Sequence, residues 1–378
     1  MVVVGMKEVK KMNLLEYIDN YGIYSFQEKK FNEVDNAIFS LLAYTNFTNI
    51  LGKNQQLTIK EAGRMHLGLH PDKDVNVIAV RDGNKILRYI KDVKRYQNCI
   101  LSNYEYVGTD NVQFGAVSIE YEKNKVYVSF EGTDELFSGW KENFMLSYQF
   151  PTISHNMAIS YLNRYFTFSN KELIIGGHSK GGNLALVSSM YANFLVKGKI
   201  KKIYNNDGPG LLDKEFSSKR YEAIKKKYIH IIPDYSLVGL LLNHSNDKVV
   251  SSSNKGILAH DIIYWMVDKN HFQKSELSSM SKELDSEIQK WFINYKDQDK
   301  IEFINNLDLI LKKAQVTSML DIKREKKKVF DLIYQSKNMS DSTKKTLLTF
   351  LGIFIKCLRD TKKEELVNFW SNLFKIRI

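Results

Sequence analysis

Between residues 33 and 47 the apolar side chains Val34, Ala37, Ile38, Leu41, Leu42 and Tyr44 recur at helical spacing, which predicts a helix with one buried stripe. Residues 59–69 and 85–96 repeat that pattern, so the first hundred residues read as mostly helical. At Val112 the period changes to two. Residues 112–119 and 125–130 alternate and are rich in Val, Tyr and Phe, with Glu122-Lys123-Asn124 between them, the signature of an antiparallel hairpin. Beyond it, helical segments begin at Trp140 and span 155–168, 183–195 and 216–226. They alternate with short apolar runs at 172–176, 200–205 and 228–232. Alternation of this kind predicts an α/β chain with a mainly parallel sheet covered by helices on both faces.

From about residue 274 the strand signals stop. Amphipathic helices are expected at 277–295, 300–316, 323–334, 341–358 and 363–374. The organisation read from this is an α/β domain over 1–272, with a helical N-terminal part to about residue 105, and a C-terminal all-helical region over 273–378. A chain of 378 residues that is 43% apolar is long enough to bury a sizeable core.

Charge and cysteine content narrow the setting. The formal net charge of +12 arises from 55 basic against 43 acidic residues, a balance compatible with peripheral contact to an anionic membrane and equally with a solvated lysine-rich surface. The densest basic stretch, Lys323-Arg324-Glu325-Lys326-Lys327-Lys328, falls on an expected helix without aromatic interleaving or a nucleic-acid motif, so no nucleic-acid partner is expected. Cys99 and Cys357 are the only cysteines, which supports neither a disulfide framework nor a cysteine metal site. The apolar run at Val2-Val3-Val4 is short and is followed, not preceded, by basic residues. No signal peptide is expected, and the compartment expected is the cytoplasm. No metal or cofactor is expected.

The chemistry concentrates in Gly177-His178-Ser179-Lys180-Gly181-Gly182-Asn183-Leu184-Ala185, which follows the apolar run Leu173-Ile174-Ile175. Gly-x-Ser-x-Gly between a strand and a helix is a nucleophile elbow: the serine stands on a sharp turn, with the helix N-terminus behind it. A serine hydroxyl needs a base and an acid that orients the base, both placed on turns after later strands. Downstream lie His230, His244, His260 and His271. His260, before the apolar start Asp261-Ile262-Ile263-Tyr264-Trp265, suits a loop over the sheet edge, with His244 in the polar turn Asn243–Asp247 as its rival. Asp234 follows the run 228–232 through Pro233 and is preferred as the acid. Asp207, in Asn206-Asp207-Gly208-Pro209-Gly210, is the alternative, since its turn explains itself structurally. The backbone N–H of Lys180, with that of Thr133 in Phe130-Glu131-Gly132-Thr133, forms the candidate oxyanion hole. The apolar stretch 144–153 beside that loop fits either a lid or a core helix.

Taken together these residues resemble the class 3 lipase branch of the α/β-hydrolases, more closely its uncharacterised bacterial lipase-like proteins. The resemblance covers roughly residues 12–270 and rests on Asn13-Leu14-Leu15-Glu16-Tyr17, Phe31-Asn32-Glu33-Val34-Asp35, Phe130-Glu131-Gly132-Thr133 with Trp140 and Asn143, the elbow, Asp207-Gly208-Pro209-Gly210, Ile232-Pro233-Asp234 with Val238-Gly239, and His260-Asp261 with Trp265. It implies an α/β-hydrolase fold and a serine hydrolase acting on an acyl ester or lipid. Ser179 would be the nucleophile, Asp234 the acid, His260 the base, and the Lys180 and Thr133 amides the oxyanion hole. Two positions depart from the pattern: Glu131 stands where lipases usually carry arginine, and Gly139 where they carry aspartate before the tryptophan.

Overall fold

Side chains along the central strands are buried on both faces and alternate residue by residue between two apolar clusters, and that alternation builds the layers. In the computed structural model, which describes residues 12–69, 78–109, 112–133, 146, 149–294, 298, 301–302 and 305, Val126, Val128 and Phe130 face one apolar cluster. Tyr127, between them, faces another. Leu173 and Ile175 likewise point to the first cluster and Ile174 to the second, as the period-two geometry of a strand requires.

In chain order the described elements are α1 (Leu14–Tyr21), α2 (Glu33–Leu42), β1 (Gln56–Thr58), α3 (Ile59–Leu69), α4 (Ile78–Ile90), β2 (Ile100–Gly108), β3 (Gln113–Glu122), β4 (Lys125–Phe130), α5 (Ile153–Phe166), β5 (Glu172–His178), α6 (Lys180–Tyr191), α7 (Phe194–Lys199) and β6 (Ile200–Asn206). There follow α8 (Asp213–Phe216), α9 (Lys219–Ile224), β7 (Tyr228–Pro233), β8 (Asp247–Val250), the two-stranded pair β9 (Val267–Asp268) and β10 (His271–Phe272), and α10 (Ser279–Asn294). The eight-stranded sheet runs in strict sequence order, β1 to β8. Pairs from β1 to β4 are antiparallel, and those from β4 to β8 are parallel. The expected hairpin is therefore β3–β4, at the junction of the two regimes. Buried residues of α1 to α4 pack with one face of the sheet, and those of α5, α6, α7 and α9 with the other.

Strands β1, β2 and β8 go beyond the sequence reading. β2 is irregular: its register with β3 shifts between Ser102 and Glu105, beside Asn103 at φ 54°, which breaks the alternation a pattern search relies on. β8 is four residues long at the sheet edge. The helix expected from 277 is present as α10, with Met280 and Leu284 buried and Ser278 donating its N–H to the Asp234 carbonyl. The later C-terminal helices, the basic stretch 323–328, Trp140 and Asn143 lie outside the described residues, as does most of 144–148. No helix among the described residues is long and apolar enough to cross a membrane.

Two of the segments that carry the family resemblance are helix N-termini. Asn13 and Glu16 form a reciprocal capping box at α1, and Asn32 with Asp35 does the same at α2. Asp35 has a second task. Its fully buried carboxylate receives Arg95 through Nε at 2.8 Å and Nη2 at 2.6 Å, with hydroxyls of Tyr96 and Tyr17 beside them. Arg95 Nη1 also donates to the Lys29 carbonyl at 2.8 Å. Arg95→Met should leave Asp35 charged and unpaired in the interior, at a cost of about 3–5 kcal/mol. Urea unfolding of the variant checks this; an unshifted midpoint would show that water reaches the carboxylate.

Candidate active site

All five parallel strands end on one edge of the sheet, so the turns after β4, β5, β6 and β7 share a rim. Ser179 occupies the turn after β5, between His178 and the first residue of α6. Its backbone stands at φ 57°, ψ −132°, a region costing a non-glycine residue about 1–3 kcal/mol. The strain is held in place from two sides. The Ser179 N–H donates to the Asn206 carbonyl at 2.9 Å, and its own carbonyl accepts the Gly182 N–H at 3.0 Å.

Close approach of two neighbouring loops leaves no room for side chains beside Ser179. A Cβ on Gly132 would lie 3.1 Å from Ser179 Cβ and 2.5 Å from the His178 carbonyl; one on Gly208 would lie 2.0 Å from the Ser179 carbonyl oxygen. Glycine is required at both for the backbone to approach. The loop carrying Thr133 and the loop carrying Asp207 thus flank the serine. Lys180 is the first residue of α6, where a helix N–H has no intrahelical acceptor and the positive end of the dipole lies.

The carboxylate that meets His260 is that of Asp207. Asp207 Oδ2 lies 2.6 Å from His260 Nδ1, while its Oδ1 accepts the Gly239 N–H at 3.1 Å and the Ser236 hydroxyl. Asp207 is fully buried, and the His260 side chain is 26% exposed. With Nδ1–H committed to a buried carboxylate, Nε2 presents a lone pair, the arrangement a general base needs. Ser179 Oγ and His260 Nε2 are not hydrogen-bonded to each other in the described structure. The two groups are linked through the short segment Asn206-Asp207, which binds the serine N–H at one residue and the imidazole at the next.

The expectation that Asp234 would orient the base is corrected. Asp234 caps the end of β7, one strand further from the elbow. Its carboxylate accepts from Ser252 N–H at 3.3 Å and the Ser275 hydroxyl at 3.4 Å. Burial pushes its carboxyl above the ordinary range against those donors. β6 is the neighbour of β5 in the sheet, so its terminal aspartate is the one beside the elbow. The rival imidazole also turns elsewhere: His244 Nδ1 lies 2.6 Å from Asp247, and His230, buried within β7, contacts the same carboxylate.

Two residues of the elbow motif have roles that the sequence reading left aside. His178 precedes the serine at the end of β5. Its Nε2–H donates to the His260 carbonyl at 2.9 Å, leaving Nδ1 to accept from the Tyr44 hydroxyl at 3.0 Å. Burial first, then the neighbouring His260 ring, hold its pKa well below the ordinary value, so it stays neutral. Asn183 reaches back from α6: its Nδ2 donates to the Gly210 carbonyl at 2.7 Å, and its Oδ1 accepts from His155 Nε2 at 2.7 Å. The elbow helix thereby fixes the far end of the Asp207 turn. Beneath the rim, Asn206 donates to Gly177 O at 3.0 Å and Ser40 Oγ at 2.9 Å, and Asn36 donates to Asn206 Oδ1 at 2.8 Å. This buried network ties α2 to β5 and β6; satisfied on both sides, it stiffens the turn ends.

Among solved structures, the chain is similar to M37 lipase, with 13% identity over 56% of this chain and 70% of that one at a TM-score of 0.36. It is similar to the lipase from Rhizopus microsporus var. chinensis, with 12% identity over 74% of this chain and 86% of that one at a TM-score of 0.31. For the native Rhizomucor miehei lipase propeptide complex the values are 9% identity, 58% and 69% coverage, and a TM-score of 0.32. No curated protein matches the sequence. A family model, that of the Mbeg1-like proteins, matches residues 90–308, from the end of α4 through β2 to β8, with the elbow, the Asp207 turn and His260, and on through α10. That match spans more than half of the chain, and the protein belongs to the Mbeg1-like family.

Proposed function

We propose that the protein is a serine hydrolase of the α/β-hydrolase type that cleaves carboxylic esters through Ser179, His260 and Asp207. One observation carries this reading: a serine held at φ 57° between a parallel strand and a helix N-terminus, on the rim where a buried aspartate grips a partly buried histidine through Nδ1. Strain of this kind persists only where surrounding structure enforces it, and it concentrates at functional sites.

In the proposed reaction the Ser179 hydroxyl attacks the acyl carbonyl and its proton passes to His260 Nε2, while the Asp207 carboxylate steadies the imidazolium. The carbonyl oxygen gathers negative charge against the Lys180 and Thr133 N–H groups. His260 returns the proton to the departing alcohol, leaving an acyl-enzyme. Water, deprotonated by His260, then releases the acid and restores the serine. The hydroxyl and the imidazole meet as substrate binds; catalytic hydrogen bonds commonly tighten at that stage. The substrate class that fits the aromatic, basic chain is an acyl ester of a lipid, handled at an anionic membrane surface in the cytoplasm.

A fluorophosphonate probe tests the reading directly. The folded full-length chain should take up one equivalent, and the modified peptide should contain Ser179. A folded chain that stays unlabelled at millimolar probe would leave the fold as a binding scaffold. A series of p-nitrophenyl esters of rising acyl length then reports the chain length preferred.

A further inference from the structure

A second cluster of titratable side chains lies one strand beyond the Asp207 turn. His230 on β7, His244 in the connection that follows, and Asp247 at the start of β8 converge so that one ligand atom from each lies within 4.8 Å of the others. The two imidazoles meet different oxygens of the carboxylate: His230 Nδ1 is 2.7 Å from Asp247 Oδ1, and His244 Nδ1 is 2.6 Å from Asp247 Oδ2.

The outer nitrogens decide what these contacts are for. His230 Nε2 lies 3.1 Å from the Gly208 carbonyl, which can only accept, so that nitrogen carries the hydrogen. His244 Nε2 faces Asp285 Oδ1 on α10 at 4.0 Å, another acceptor, and this buried oxygen has no hydrogen-bond partner in the described structure. With its Nε2–H on the Gly208 carbonyl, a neutral His230 aims an Nδ1 lone pair at Asp247 Oδ1, whereas His244 Nε2 lies beyond hydrogen-bond reach of Asp285 and leaves Nδ1 to donate to Asp247 Oδ2. A cation between His230 Nδ1 and the carboxylate, a proton or a metal ion, satisfies both. Metal-binding histidines show the outer arrangement of His230: the second ring nitrogen donates to a backbone carbonyl or a carboxylate, which fixes the tautomer and turns the inner nitrogen to the ion.

We propose that His230, His244 and Asp247 form a binding site for one divalent transition-metal ion of the zinc class, with His230 and His244 coordinating through Nδ1 and Asp247 through its carboxylate. Two imidazoles and one carboxylate suit a borderline ion such as Zn2+ and leave a fourth position for water or Asp285. The His230 ring is fully buried, whereas the Asp247 side chain is 22% exposed at the start of an edge strand. The carboxylate therefore has room to turn and admit the ion. The ion would bind β7, β8 and the connection between them into one unit, and His230 Nε2–H would carry that order to the Gly208 carbonyl, next to the aspartate that holds His260.

Isothermal titration of Zn2+ into chelator-stripped full-length protein tests the site without reference to hydrolysis. We expect one equivalent to bind with a dissociation constant below about 1 µM, a higher melting temperature with the ion, and an affinity weakened by about 100-fold or more in Asp247→Asn. His244→Ala, at a turn near the surface, should show the same loss and guards against a folding defect in the first variant. Absence of stoichiometric binding by the folded wild-type chain would overturn the proposal, as would equal affinity in wild type and both variants. Either result would leave protons as the cations between these groups.

Discussion

Ser179→Ala is expected to lower kcat for ester hydrolysis on the order of a millionfold while leaving the far-ultraviolet spectrum and melting temperature close to wild type. The size follows from the way the parts work as a unit: without the hydroxyl, His260 and Asp207 have nothing to activate. The residual rate would come from the Lys180 and Thr133 amides acting on a water attack. The structural effect should be small because Ser179 is held by its backbone, through Asn206 and Gly182, and its side chain contributes no cap to α6. Hydrolysis of a short p-nitrophenyl ester, measured on wild type and variant from the same preparation, decides the matter. A variant that retains most of its activity would mean that the hydrolysis belongs to another group.

The second large effect separates the two aspartates. Asp207→Asn should reduce kcat by about ten-thousandfold, because an amide in that place stabilises the wrong imidazole tautomer and cannot support the imidazolium. Asp234→Asn should leave kcat nearly unchanged, since its carboxylate meets Ser252 and Ser275 and not an imidazole. The split between kcat and KM is the informative readout: kcat should fall in the first variant with KM little changed, and neither should move in the second. Equal and large losses in both would point to damage transmitted through the sheet rim. A large loss in Asp234→Asn alone would return the acid to the position first expected from strand order.

The elbow was readable in the chain because its requirements are local. An apolar run, two glycines and a helical start sit within about a dozen residues, and each has a steric reason. Asp207 was harder to read because two causes act on one residue. Its neighbours Asn206, Gly208, Pro209 and Gly210 announce a turn, and Asp207 does adopt φ 49°, so a turn former and a functional carboxylate look the same in one dimension. What separates them is the placement of β6 beside β5, a fact of sheet order that spacing does not encode. Gly239 and Asn183 show a related difficulty. Both belong to segments that mark the family, yet the purpose of each, an N–H to Asp207 and an amide to the Gly210 carbonyl, emerges only across 27 or more residues of separation. β8, at four residues, is too short for a period to show.

The sequential order of the eight strands governs how the site comes into being. Since each strand lies against its predecessor, a chain leaving the ribosome can extend its sheet without reopening a gap, and loop closure stays local at every step. Thr133, Ser179, Asp207 and His260 then arrive in that order, with the imidazole last. A polypeptide halted before residue 260 would own a strained serine and its carboxylate yet lack the proton acceptor. The youngest, still incomplete molecule would therefore be chemically silent, and reactivity would begin only when the final loop settles over the rim.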